Sequence, residues 1–91
     1  MNASTDFFER RGIATHCVPD RVLDKARHII GLLEQGTPYW QMRGKRLHRN
    51  RSVISIPVGR RWRLLALDAN GSLRPKELLS HESYNNRHQH Y

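Results

Sequence analysis

Apolar residues follow a helical rhythm over one stretch of the chain and a strand rhythm over several others. In residues 20–36, DRVLDKARHIIGLLEQG, the apolar positions are Val22, Leu23, Ala26, Ile29, Ile30 and Leu33. Steps of three and four predict an amphipathic helix whose stripe faces a core. Pro19 and Asp20 mark its start, since proline suits a first helical turn and an acid suits the positive end of the helix dipole. Gly36 marks its end. Downstream, SVISIPVG at 52–59 is rich in β-branched residues and predicts a strand. Pro57 has no N–H to give to a ladder, so it belongs at an edge, a bulge or the strand's exit. RRWRLLALD predicts the next strand after a tight turn at Gly59, and Asn70-Gly71 is a strong hairpin signal before a last strand in KELLSH.

The remaining segments are less regular. IATHCV at 13–18 mixes β-branched and apolar residues and predicts a first strand. TPYWQMRGKRLHRNR has no single period; Tyr39, Trp40, Met42 and Leu47 predict one short amphipathic turn or helix that leads onto the sheet. Residues 1–12 are polar except for Phe7 and Phe8, and are expected to be a flexible segment, frayed or forming a short helix. The fold class expected is α+β, a small antiparallel sheet packed on one main helix. A single domain at 13–86 is followed by a polar, His-rich tail at 87–91.

Length limits what such a domain can do. A chain of 91 residues buries only ~60–65% of the surface its unfolded form exposes, which leaves no room for a two-domain active site or a large cofactor cleft. No cofactor is expected. The N-terminus MNASTDFFERRG has no apolar signal core, and no run approaches the ~20 apolar residues of a membrane span, so the expected setting is the cytoplasm. Cys17 is the only cysteine, which rules out an intramolecular disulfide and suits a reducing compartment.

Charge sharpens the picture. Sixteen Lys and Arg face eight Asp and Glu, a formal net charge of +8. Residues 35–67 contain no acid, yet they carry Arg43, Lys45, Arg46, Arg49, Arg51, Arg60, Arg61 and Arg63. A solvated basic face is usually interspersed with acids, and this one is not. One-signed charge on a small domain attracts polyanions and speeds encounter with them. Arg43, Lys45, Arg46, Arg49, Arg51, Arg60 and Arg61 are therefore candidate nucleic-acid contacts; an acidic protein is the other partner such a surface suits.

Three residues carry candidate chemistry. Strand alternation places Trp62, Leu64 and Ala66 on one face and Arg61, Arg63, Leu65 and Leu67 on the other. An arginine among apolar neighbours buries its stem and projects a planar fork suited to a phosphate; its bland alternative is a cross-strand acid, for which Glu77 is the candidate. His81 and Tyr84 follow the last strand three residues apart. Histidine exchanges protons near neutrality, and tyrosine stacks on bases. Their bland alternative is a strand cap and a core ring. With Arg63 to neutralise phosphate charge, these groups suffice for RNA cleavage through the ribose 2′-hydroxyl, without a metal. His81, His88 and His90 lie close together, but no Cys or acidic cluster completes a zinc set.

The run VISIPVGRRWRLLALDANGSL…KELLSHESYNN resembles the C-terminal half of the RelE/ParE superfamily of bacterial toxins, from type II toxin–antitoxin modules. Trp62-Arg63-Leu64-Leu65 is similar to the family's aromatic-Arg-apolar-apolar strand. SHESYN resembles the H-x-x-Y ending of HigB-type members, and His90-Tyr91 a YoeB-type terminus. SIPVGRRWRLL most resembles phage and prophage ParE-like proteins. The resemblance implies a compact α+β fold, an acidic antitoxin partner, and one of two activities: ribosome-dependent mRNA cleavage or poisoning of DNA gyrase. It further implies that Arg63 stabilises phosphate charge, that His81 is acid or base, and that Tyr84 stacks on or orients the nucleotide. RelE-type enzymes carry lysines in the strand before the aromatic-Arg element, whereas SVISIPVG has none. The expectation drawn is an mRNA endonuclease, with a gyrase-directed toxin or a phage-encoded basic regulator as the alternatives.

Overall fold

A computed structural model describes residues 3–82. Two helices, α1 (Ala3–Glu9) and α2 (Asp20–Glu34), precede a short 3-10 turn (Tyr39–Met42) and four strands: β1 (Lys45–Arg46), β2 (Val53–Val58), β3 (Trp62–Ala69) and β4 (Ser72–Ser80). The strands form one antiparallel meander in the order β1-β2-β3-β4. This is the expected α+β class, a sheet on one main helix.

The sequence signals act where they were placed. All six stripe residues of α2 are buried. Pro19 occupies the N-cap position, and its carbonyl accepts from the N–H groups of Val22 and Leu23. At the other end Gly36 takes φ +94, and Thr37 and Gly36 donate to the carbonyls of Leu32 and Leu33, which satisfies two otherwise orphaned helix acceptors. Asn70 and Gly71 both have positive φ, as a two-residue hairpin turn with the sheet's twist requires. Pro57 lies in β2 beyond the reach of β1, which pairs only with Ile54 and Ser55, so no ladder bond to β1 is lost there.

Two expectations need correction or refinement. Residues 13–18 form no strand. Ile13 and Val18 are an odd number of residues apart, so a strand would point them to opposite faces, whereas both pack on the same core. The chain turns instead at His16-Cys17, with Cys17 at φ +63 and the Val18 N–H donated to Thr15. The segment 1–12, expected as frayed or as a short helix, contains α1, and Phe8 is fully buried in the core.

The sheet has two unlike faces. Ile54, Ile56, Val58, Leu64 and Leu78 pack against α2, Phe8 and Ile13 in the main core. The opposite face carries a smaller apolar cluster of Leu47, Val53 and Leu65, flanked by Leu67 and Leu79. Gly44 sets the approach of β1: a Cβ there would stand 2.9 Å from both the Tyr39 carbonyl oxygen and Ile56 Cγ1, so the crossing is too tight for a side chain. Among the described residues, no helix is long and apolar enough to cross a membrane.

Candidate functional site

The sheet face turned away from the helices collects the candidate chemistry. Arg63 on β3 pairs with Pro57 of β2 on one side and with Leu79 of β4 on the other. It is half-buried, as an arginine with its stem among apolar neighbours should be. His81 follows the last residue of β4, and its N–H is donated to the Arg61 carbonyl, which extends the ladder by one step. Alternation from Leu79 puts His81 on the Arg63 side, diagonal to it across the strand pair. The imidazole-bearing residue is exposed. Arg63 and His81 are thus brought to one face and one end of the sheet. Glu77 stands opposite Leu65, diagonal to Arg63 in the other direction, so the acid that a structural pairing would need is also near. Tyr84, His88, His90 and Tyr91 lie outside the described residues.

The register depends on a bulge that sequence patterning missed. Ala66 is opposite Pro75 but Leu65 is opposite Glu77, which leaves Lys76 as the extra residue. Pro75 was the available signal, because proline within a strand marks an edge or a bulge, and β4 is both an edge strand and bulged.

The basic run divides into distinct groups. Arg43, Lys45, Arg49, Arg51, Arg60 and Arg61 are exposed. Arg46 is engaged within the molecule: its guanidinium donates to Asp68 at 2.6 Å and to the Arg51 carbonyl at 2.7 Å, and lies 5.5 Å from the Tyr39 ring centroid. Arg43 and Lys45 border a cleft of ≈ 360 Å³ on the helix-free face, together with His48, Ser55 and Arg63. Arg60 and Arg61, on the β2–β3 turn, join Arg21 and Lys25 of α2 around a second cleft of ≈ 480 Å³ floored by Val22, Val58 and Trp62. β2 has no basic residue, as the sequence indicated, but β1 brings Lys45 directly opposite Ser55 of β2.

Asp68 ties this region together. One carboxylate oxygen accepts from Arg46 and the other from the Gly71 N–H of the hairpin turn, 2.9 Å away. The Arg46 hydrogen bond first, and the Gly71 N–H second, hold the Asp68 carboxyl below its ordinary range. A carboxyl lowered on folding stabilises the native state above its unfolded pKa, and that contribution fades as pH falls through the lower folded value. The stability advantage of the native protein over Asp68→Asn should therefore be full at pH 7 and shrink below about pH 4, the ordinary range of an aspartate. Urea midpoints measured from pH 7 to pH 2 test this; an advantage that grew on acidification would refute the assigned role of the carboxylate.

A family model described as ParE-like toxin domain matches residues 20–86. No curated protein and no solved structure matches the chain.

Proposed function

The chain belongs to the ParE-like toxin family, and from that premise we propose that it is the toxin of a type II toxin–antitoxin module that cuts mRNA on the ribosome without a metal. A toxin of such a module has an antitoxin partner. The reading is carried by one observation: Arg63 and His81 come from adjacent strands to the sheet face turned away from the helices. A phosphodiester lying on that face meets a guanidinium fork for its non-bridging oxygens and an imidazole for proton transfer.

In the reaction, the ribose 2′-oxygen bonds to the adjacent phosphorus and the bond to the 5′-oxygen breaks, giving a 2′,3′-cyclic phosphate and a 5′-hydroxyl. One proton leaves the 2′-hydroxyl and one arrives at the 5′-oxygen. His81 serves as acid or base for one of these transfers, and the other is exchanged with water. Arg63 stabilises the charge that builds on the phosphoryl oxygens. Tyr84 is assigned to stacking on the nucleotide. The exposed cations Arg43, Lys45, Arg49, Arg51, Arg60 and Arg61 supply the electrostatic footing on ribosomal RNA.

A second reading, inhibition of DNA gyrase by binding alone, is supported by the cleft at the start of α2, where Arg21, Lys25, Arg60 and Arg61 surround Trp62. Cations around an aromatic suit an acidic protein surface. Expression of the protein in bacteria, with transcript ends mapped and plasmid supercoiling assayed in the same culture, separates the two. The first reading expects new transcript ends that vanish in His81→Ala, with supercoiling unchanged. Relaxed or broken DNA alongside intact transcripts sinks it in favour of the second.

A further inference from the structure

Ser55 is out of place in a purely structural account of the sheet. It sits in the middle of β2 with Lys45 opposite on one side and Leu65 on the other, and it is 4% exposed. Its hydroxyl oxygen is buried without a hydrogen-bond partner among the described residues. Buried polar groups are ordinarily paired, because an unmade hydrogen bond leaves the whole desolvation cost standing. Alanine or valine would fill the position without that cost.

Ser55 is not enclosed by apolar packing alone. It lines the ≈ 360 Å³ cleft together with Leu47, Arg43, Lys45, Arg46, His48 and Arg63, and among the described residues no acid lines that cleft. A neutral guest such as water would satisfy the hydroxyl, but it would not account for Arg43, Lys45 and Arg63 meeting in one lining that holds no acid among the described residues. An oxyanion accounts for both: a non-bridging phosphoryl oxygen accepts the Ser55 hydroxyl proton in a hydrogen bond while Lys45 and Arg63 neutralise its charge.

We infer that this cleft is an oxyanion-binding subsite for a phosphate group, with Ser55 as the buried donor that fixes the position of one phosphoryl oxygen. The inference deepens the reading above, since it names a further positioning residue for the same sheet face. It needs only an anion there, not cleavage. The same chemistry comes from a nucleic-acid phosphodiester or from free phosphate, and the two are separable by titration.

The test is an amide NMR titration of the full chain with inorganic phosphate and, separately, with a five-nucleotide thymidine DNA strand, which has no 2′-hydroxyl to attack. Saturable shifts at Lys45, Leu47, Ser55 and Arg63 are expected with the DNA strand. Ser55→Ala should weaken that binding about tenfold, the effect of losing one hydrogen bond to a charged group. It should also raise the melting temperature by a few degrees, because the stranded hydroxyl is gone. Lys76→Ala, a charge removal at the bulge of β4, should leave the Ser55-centred shifts in place. Equal Ser55-dependent saturation by phosphate alone would assign the subsite to the free ion. Affinity unchanged in Ser55→Ala, or no saturable shift at Ser55 with either probe, overturns the inference. Ser55-dependent binding without transcript cleavage in cells would instead refute only the nuclease reading.

Discussion

Arg63→Ala is expected to lower transcript cleavage at least about a hundredfold, since losing one preorganised donor to a developing oxyanion costs on that order. The size follows from where Arg63 sits. Arg63 is half-buried on β3 between β2 and β4, and on the nuclease reading a stem packed in this way leaves the fork less ordering to do at the moment of reaction. Arg63→Lys keeps the charge and loses the planar two-pronged donor, so it should recover only part of the rate. The competing account is that Arg63 serves Glu77 and nothing else. In that case Arg63→Ala and Glu77→Ala would lower the melting temperature alike, and cleavage would track the folded fraction. Under the nuclease reading, Arg63→Ala loses cleavage while its melting temperature stays within a few degrees of the native value. Cleavage retained in well-folded Arg63→Ala would remove the guanidinium from the mechanism.

What the sequence displayed, and what it hid, follows from the range of each interaction. The stripe of α2 and the Asn70-Gly71 turn were legible because each depends on residues within a few positions of one another. β1 was not, since a strand of two residues, Lys45 and Arg46, has no period to detect. The ion pair of Arg46 with Asp68 joins residues 22 apart, and only the meander brings them together. Ser55 reads as an outward-facing polar residue in the alternation of SVISIPV; it is buried because β1 and the Leu47, Val53 and Leu65 cluster cover the second face of a strand with neighbours on both sides.

The common face of Arg63 and His81 is the most instructive case. An unbroken ladder from the hairpin turn would set Leu78 opposite Arg63, and every later residue of β4 would change sides. The extra residue at Lys76 makes it Leu79 instead, and so delivers His81 to the arginine's side. The placement of Arg63 and His81 on one face thus hangs on a bulge whose sequence trace is Pro75. Deleting Lys76 would turn His81 away from Arg63 without touching either residue.

Phe8→Ala is expected to destabilise the fold by ~3–5 kcal/mol, the usual cost of emptying a fully buried aromatic site. Against a total of about 5–15 kcal/mol for a small domain, that is a large share. The reason lies in how α1 is fastened. Phe8 is fully buried against the helix side of the sheet, and the Phe8 carbonyl accepts from Ile13 and Arg11 as the chain turns toward α2. Arg11 then clamps the turn. Its guanidinium makes two hydrogen bonds of 2.8 Å to the Glu34 carboxylate at the far end of α2, donates to the Phe7 carbonyl, and lies 3.7 Å from the Phe7 ring centroid. That pair is exposed enough to contribute little by charge alone, so it fixes geometry while Phe8 supplies the burial. At about 4–8 °C per kcal/mol for a domain of this size, Phe8→Ala should melt at least about 12 °C below the native protein. Phe7→Ala, which removes a half-buried ring, should cost clearly less. A Phe8→Ala protein that melted within two or three degrees of the native chain would mean that α1 is an appendage, and that the core closes on α2 and the sheet without it.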